Sequence, residues 1–129
     1  MAEPRKNKLG VLEEKTYAFA IRIIKAYKYL TNNNVYVLSK QLLRSGTSIG
    51  ANCREAVYAQ SKQDFISKLS IALKETNESI YWLELLHDTG HITDESFNSI
   101  HADGLEILKL LISIIKTLKS NAPDENINC

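Results

Sequence analysis

Proline, glycine and cysteine are scarce in this sequence, which has two prolines, five glycines and two cysteines among 129 residues. Scarce glycine and mostly aliphatic apolar residues are typical of helical proteins, so the composition favours an all-α fold. The cysteines, Cys53 and Cys129, lack the CxxC spacing of metal ligands, and two cysteines cannot form the disulfide framework of a small secreted domain. We interpret Cys53 as a small core residue.

Long hydrophobic runs and targeting signals are also absent. The N-terminus is polar, and the first apolar run, residues 16–24, is interrupted by Arg22. The most apolar run, residues 107–118, carries Lys109 and Lys116 and is far shorter than the ~20 apolar residues that a membrane span requires. We therefore expect a soluble, cytoplasmic protein with no membrane partner.

Net charge is small, at +1, but it is unevenly distributed along the chain. Residues 1–60 contain ten Lys/Arg and four Asp/Glu, a net charge of +6, whereas residues 61–129 contain six and eleven, a net charge of −5. Three interpretations are open: a basic face for nucleic acid, opposite faces that meet at a subunit contact, or ordinary solvated helix surfaces.

Apolar residues recur every three or four positions in four segments, which is the spacing of one face of an α-helix. The asparagine-rich residues 31–34 favour a turn, Ser61 and Thr93 are suitable N-caps, and Gly90 is suitable for a left-handed C-cap. With such short connections we predict an antiparallel, up-and-down four-helix bundle. The predicted helices cover residues of about 9–30, 35–59, 62–89 and 94–119, in a single domain of residues 1–129 with flexible tails at 1–8 and 120–129.

The segment LLRSGTSIGANCREA, residues 42–56, has the two glycines expected of either a phosphate-binding loop or a closely packed helix. A Walker-type loop needs a lysine after its second glycine and a strand before its first, and this segment has neither. Helical apolar spacing continues through it, so we predict a helix. Gly46 and Gly50 lie four residues apart on one face, where they would let another helix approach closely.

The last predicted helix carries a second apolar row beside its main stripe. Leu105, Ile107, Ile112 and Ile114 form this row. A helix in a monomeric bundle needs only one stripe, so an additional row must be covered or remain exposed. We expect self-association to cover it.

No arrangement of residues points to catalysis, a metal or another cofactor. Glu84 and His87 have the Glu-x-x-His spacing of di-metal bundles, but the pair occurs once and such a site needs two. Ser45, Ser48 and Cys53 lack the Gly-x-Ser-x-Gly elbow of a nucleophile, and the histidines lie elsewhere in the sequence. The chain is predicted not to be an enzyme and to bind no metal.

Basic residues supply the candidate nucleic-acid site. Arg22, Lys25 and Lys28 follow one another at three-residue steps on one helix face, with tyrosines nearby for base stacking. An ordinary solvated face is the competing interpretation. The full candidate set is Lys15, Arg22, Lys25, Lys28, Arg44, Arg54 and Lys62.

A second candidate set is structural. Arg44, Asn52 and Glu55 are polar residues on a helix that otherwise packs, and Asn52 falls on its apolar stripe, where a buried amide needs hydrogen-bond partners. We interpret them as a polar network that fixes helix register or a subunit contact. Together with Gly46 and Gly50 they form the predicted structural motif.

Residues 38–92 resemble the family of four-helix-bundle proteins found in 23S rRNA intervening sequences. The first and last helices match that family in pattern alone. The matching motifs are Leu43-Arg44, the run 47–52 (TSIGAN), Glu55-Ala56, Ser61-Lys62, Phe65, the run 70–75 (SIALKE) and Glu84-Leu85.

The resemblance implies a homo-oligomeric bundle, a pentameric barrel of bundles in relatives, with a role in nucleic-acid transactions in one branch. Retroelement accessory proteins that partner a reverse transcriptase are similar in fold. We therefore expect a homo-oligomeric scaffold, a pentamer by resemblance, that binds structured RNA or DNA or a nucleic-acid enzyme. The alternative is a protein-interaction module without nucleic-acid binding that recruits another chain through its apolar last helix.

Overall fold

The computed structural model describes residues 7–121, which form four α-helices and no strand. Each helix packs against the helices before and after it in the chain, and the first packs against the last, so the four surround one core. The prediction of an all-α, four-helix protein is confirmed. The helices are α1 (Lys8–Asn32), α2 (Val37–Ala56), α3 (Lys62–Asp88) and α4 (Asp94–Ser120).

The core is built from the apolar stripes of all four helices. Phe19 of α1, Ile49 of α2, Leu69 of α3 and Leu111 of α4 are essentially fully buried. Cys53 is also buried in this core, where it acts as a small apolar residue. Burial of a large aliphatic or aromatic side chain contributes about 1.5–3 kcal/mol, so these stripes supply most of the stability of the fold.

The connection between α1 and α2 is a tight turn that asparagine makes possible. Asn34 has φ of +66°, a left-handed conformation that asparagine tolerates better than most residues. The amide of Val35 donates to the Leu30 carbonyl at 2.9 Å, and that of Asn34 donates to the Thr31 carbonyl at 3.1 Å. These two hydrogen bonds form a Schellman motif, which ends α1 and turns the chain into α2.

Both ends of α3 and the start of α4 have the capping residues that the sequence predicts. The Ser61 hydroxyl accepts from the Asp64 amide at 3.0 Å, and the Thr93 hydroxyl accepts from the Ser96 amide at 3.1 Å. Gly90 has φ of +81°, which confirms the predicted left-handed residue after α3. Side-chain caps at the N-termini and a left-handed C-cap satisfy backbone groups that the helices leave unpaired.

The second helix is shorter than the sequence pattern predicts. Periodicity predicts it over 35–59, but it begins at Val37 and ends at Ala56. The next three amides, of residues 57–59, donate to carbonyls three residues back, so the last turn tightens into a 3₁₀-like turn. Val35 belongs to the turn that ends α1, which delays the start of α2. The predicted flexible tails lie mostly outside the described residues.

The last helix hides most of its second apolar row within the chain. Ile107 and Ile114 are buried, and Leu105 is half-buried, which leaves Ile112 as the large apolar residue of α4 that is exposed, at 48%. The expectation that the whole row needs a second chain to cover it is wrong for Ile107 and Ile114, which are buried within the chain. The reason is that α4 packs against both α1 and α3, so its apolar face is wider than a single stripe.

Candidate assembly and nucleic-acid interface

The predicted basic residues of α1 face the acidic residues of α4. Lys15 Nζ lies 2.6 Å from Glu106 Oε1, and Arg22 donates to Asp103 Oδ2 at 2.6 Å. The second guanidinium nitrogen of Arg22 donates to the Ser99 hydroxyl at 3.0 Å. These contacts lie at the α1–α4 seam, by which we mean the surface line where α1 meets α4.

The basic residue of the glycine motif faces α3 instead. Arg44 pairs with Glu78 and lies 3.6 Å from Glu75, while Glu55, about three turns further along α2, accepts from Lys68 at 3.0 Å. The Glu55 hydrogen bond raises the pKa of Lys68. Two sets of surface ion pairs about three turns apart thus lie along the α2–α3 seam, the corresponding line where α2 meets α3.

Asn52 does not join these two ion pairs. It is half-buried, and its amide donates to the Ser48 carbonyl of its own helix at 2.9 Å. The polar contact inside the α2–α3 seam comes from Ser45 and Ser79, both fully buried, whose hydroxyls lie 2.8 Å apart. Serine at these positions is small enough to bring the helices close together, and the mutual hydrogen bond satisfies both hydroxyls.

The seven predicted basic residues do not share one surface. The α1–α4 and α2–α3 seams lie on opposite sides of the bundle, because the helices surround the core in chain order. Lys62 lies elsewhere again, and its ammonium donates to the Asn121 carbonyl at 3.0 Å. Part of the charge asymmetry of the sequence is thus neutralised within the chain, where basic first-half residues meet acidic second-half residues.

Three of the predicted basic residues remain without an ion pair to any residue in 7–121. They are Lys25 and Lys28 of α1 and Arg54 of α2, all exposed. Cations that are not neutralised locally are available to phosphate or to carboxylates of another chain. These three members of the predicted set therefore remain candidates for contact with such a partner.

Helix α1 also carries an exposed apolar row that the sequence reasoning missed. Tyr17, Ile21 and Ile24 are 60%, 41% and 40% exposed and lie at i, i+4 and i+7, so they project from one outward face. We call these three residues the α1 row. Its spacing is visible in the sequence, but it is hidden by the stronger core stripe of the same helix.

The two glycines of α2 have different surroundings. A Cβ on Gly46 would lie 2.7 Å from Ile23 Cγ1, so α1 and α2 approach each other closely there and any larger residue would force Ile23 to shift. A Cβ on Gly50 would lie 3.4 Å from the Thr16 hydroxyl, which is ordinary contact. Gly50 instead lines a groove of about 380 Å³ between α1 and α2, together with Tyr17 and Ala51.

Residues with catalytic or metal-binding side chains are engaged in other contacts. His87 Nε2 lies 2.6 Å from Asp94 and its Nδ1 lies 3.0 Å from Asp88, while His101 lies 3.1 Å from Glu84. Among residues 7–121 no group of three or more His, Cys, Asp or Glu is arranged to hold a metal ion.

The remaining candidate nucleophile is a buried thiol. Burial raises the pKa of Cys53 to about 12, so its thiol is protonated at neutral pH. The thiolate is the reactive form of cysteine, and this environment suppresses it. Cys53 contributes packing, and its surroundings give it no activating base.

Across residues 7–121, the four helices lack any stretch apolar enough and long enough to cross a bilayer.

Comparison with known proteins identifies close relatives. The sequence model of the family described as 23S rRNA-intervening sequence protein matches residues 8–113. A crystal structure of a protein of unknown function from the S23 ribosomal protein family of Bacteroides thetaiotaomicron superimposes with a TM-score of 0.83 at 59% sequence identity. The alignment covers 85% of this chain and 99% of that one. No curated protein shows significant similarity to the chain.

Proposed function

The chain belongs to the 23S rRNA-intervening sequence protein family, and from this premise we propose that it is a non-enzymatic scaffold that assembles head to tail into a homo-oligomeric ring. The α1 row is the observation that carries the proposal. Three large apolar residues aligned on one outward helix face form a patch of the kind that marks protein interaction sites.

We propose an antiparallel, up-and-down arrangement of the four helices within each subunit. Two sets of contacts support it. Lys15 meets Glu106 and Arg22 meets Asp103, so residue numbers fall along α4 as they rise along α1. Helices α2 and α3 show the same reversal. Arg44 precedes Glu55 in α2, whereas the α3 partners of Arg44 follow Lys68, the partner of Glu55.

Charge distribution favours a ring over a two-fold dimer. Helices α1 and α2 contain eight Lys/Arg and three Asp/Glu, a net charge of +5, whereas α3 and α4 contain six and nine, a net charge of −3. With the four intrachain ion pairs between these two halves set aside, the totals are +3 and −1, so an α1–α2 face repels its own copy and attracts the weakly negative α3–α4 face of another. Contacts between two different faces are heterologous, and they produce closed rings when the rotation between subunits closes. Five subunits is the number that the family resemblance implies.

Sedimentation velocity of the purified chain tests assembly directly. We expect a species several times heavier than the 14.6 kDa subunit, and we expect Ile21→Glu to convert it to monomer, because a buried unpaired carboxylate is strongly unfavourable. Val37→Glu is the matched control, since Val37 is 76% exposed but lies outside the α1 row. A wild-type monomer, or an Ile21→Glu protein of unchanged size, would contradict the proposal.

Nucleic-acid binding is the second part of the proposal. A ring repeats Lys25, Lys28 and Arg54 in every subunit, and multivalent contacts convert a weak single attraction into appreciable avidity. Helix-end tyrosines such as Tyr29 and Tyr58, which are 51% and 82% exposed, are available for stacking on unpaired bases. Structured RNA with single-stranded loops fits this chemistry best.

Fluorescence anisotropy of a labelled stem-loop RNA at several salt concentrations tests this second part. We expect affinity to fall with rising salt. Replacement of Lys25, Lys28 and Arg54 by glutamine should lower the slope by roughly one for each phosphate that the variant no longer neutralises. Lys15→Gln is the control, because Lys15 is paired with Glu106. If an assembled ring does not bind the RNA even at low salt, the alternative function is favoured, which is a protein-interaction scaffold without nucleic-acid binding.

A further inference from the structure

A cavity of about 470 Å³ opens at the end of the bundle where α1 ends and α4 begins. Leu30, Leu42, Leu83 and Leu86 lie beneath it and are themselves inaccessible to solvent, so the apolar surface that a ligand can touch comes mainly from Ala26, Tyr29 and Ile92. The volume lies within the range of about 300–1,000 Å³ that is typical of small-molecule sites in proteins. The cavity is separate from the α1 row and from the groove that Gly50 lines.

Small side chains on facing helices explain why the cavity exists. At this level α1 presents Ala26 and α4 presents Ser96, and neither reaches across the α1–α4 seam. Deeper in the bundle the space is filled, because Phe19 Cε1 lies 3.7 Å from the position that a Cβ on Gly104 would occupy. Side chains therefore fill the space beneath the cavity, whereas its other side faces solvent.

The polar rim of the cavity is positively charged. Arg22 and Lys25 are among the lining residues, and no aspartate or glutamate of residues 7–121 is. Arg22 is held by Asp103 and Ser99, so its charge is partly neutralised. Lys25 is exposed and has no ion pair to any residue that the structure describes, which leaves its ammonium available at the mouth of an apolar cavity.

We propose that this cavity binds a small amphipathic carboxylate, with its hydrocarbon body against Ala26, Tyr29 and Ile92 and its carboxylate paired with Lys25. An apolar cavity with few convergent polar groups is the usual form of a small-molecule site. The apolar lining disfavours strongly hydrated anions such as free phosphate, because contact with Ala26 and Ile92 would remove water without replacing its hydrogen bonds. The proposal does not depend on ring assembly or on nucleic-acid binding.

Isothermal titration calorimetry of the full chain with decanoate and with 1-decanol, a neutral ligand of the same chain length, measures the charge pair and the apolar contact separately. We expect one decanoate per chain. Lys25→Gln should weaken decanoate binding about threefold to tenfold, as expected for a partly exposed charge pair, and should change decanol binding less than about twofold. Lys28→Gln is the matched control, because Lys28 is an exposed lysine of the same helix that does not line the cavity.

Filling the cavity tests the hydrocarbon half of the site. Ala26→Phe, or Ser96→Leu from the opposite wall if the first variant does not fold, should weaken both ligands at least about tenfold. In the wild-type chain, decanoate should shift the methyl NMR signals of Ile92 and Ile100 and leave that of Ile112 unchanged. Absence of decanoate binding to the wild type, unchanged binding by a folded cavity-filled variant, or unchanged decanoate affinity in Lys25→Gln would overturn the proposal.

Discussion

The two opposite seams of this bundle are constructed differently. Helices α2 and α3 share the most extensive contact in the molecule, and the buried hydroxyls of Ser45 and Ser79 meet inside it. Helices α1 and α4 share the smallest contact among neighbouring helices, and it is held by ion pairs on the surface and interrupted by the cavity. The α2–α3 seam therefore carries stability, whereas the α1–α4 seam has room for a ligand.

Chain connectivity contributes to this difference. Helices α2 and α3 are joined by a short connection that places them side by side, whereas α1 and α4 meet across the whole length of the sequence. Closing a long loop costs more conformational entropy than closing a short one. Lys15 and Arg22, whose partners are 91 and 81 residues away, join the two ends of the chain through surface contacts that are worth only about 0–1 kcal/mol each.

The same substitution at the two seams should have very different effects. Ser79→Leu adds a large side chain at a fully buried contact and leaves Ser45 without its partner, so we expect it to destabilise the fold by about 2–4 kcal/mol. Ser99→Leu, at the exposed edge of the α1–α4 seam, should change stability by less than about 0.5 kcal/mol. Urea denaturation measures both, and equal effects would remove the distinction between the seams.

The glycines of α2 extend the comparison to the α1–α2 contact. Gly46→Ala should destabilise by about 1–2 kcal/mol, because the new methyl group overlaps the stiff, buried Ile23 side chain. Gly50→Ala should be neutral or stabilising by up to about 1 kcal/mol, since its methyl group meets ordinary contacts and alanine favours the helix. Thermal unfolding of the two single variants distinguishes them, and a Gly50→Ala protein as unstable as Gly46→Ala would contradict the geometry.

Stability should depend on pH through the end of the molecule where α3 meets α4. Hydrogen bonds that the His87 ring donates to the carboxylates of Asp94 and, to a lesser extent, Asp88 raise the pKa of His87 above its ordinary value of 6.5. The Phe97 ring stacks on His87, with the centroids 4.3 Å apart, and on its other neighbour His101, which in turn faces Glu84. Because the folded pKa is raised, the stabilisation from His87 is complete below the unfolded pKa and is lost as pH rises through the folded pKa.

This pH effect is the smallest of the three, since His87 and its carboxylates are near the surface. The measurement is the melting temperature between about pH 5.5 and 8.5 for the wild type and His87→Gln. The difference between them should be largest at the acidic end and should shrink as pH rises. Asp94→Asn should remove most of the pH dependence, and parallel curves for wild type and His87→Gln would show that His87 does not contribute.

Much of the fold was predictable because its signals are local. Helix periodicity, the Ser61 and Thr93 caps and the left-handed Gly90 each depend on residues within a few positions of one another. The ends of α2 were harder to predict. The turn at Asn34 continues into residues that the apolar spacing assigns to α2. Local hydrogen bonding decides these boundaries, and periodicity alone does not resolve it.

The candidate site was only partly predictable. The sequence identifies Arg22 and Lys25 as neighbouring cations, but it does not reveal that Asp103 neutralises the first and that the second lies at the mouth of a cavity. It also places Gly46 and Gly50 on the same helix face without distinguishing a close helix contact from a groove. Each distinction depends on a residue of another helix, at a distance set by packing.

Local residue patterns are enough to predict that the chain forms four helices, where most of them begin and end, and which residues face a common core. Those features follow from local hydrogen bonding and from the periodic burial of apolar side chains. Packing of whole helices determines which charges pair, that the α1 row faces outward, and that a cavity opens where α1 ends and α4 begins. These outcomes depend on how far apart and at what register whole helices pack, and spacing within one helix does not contain that information.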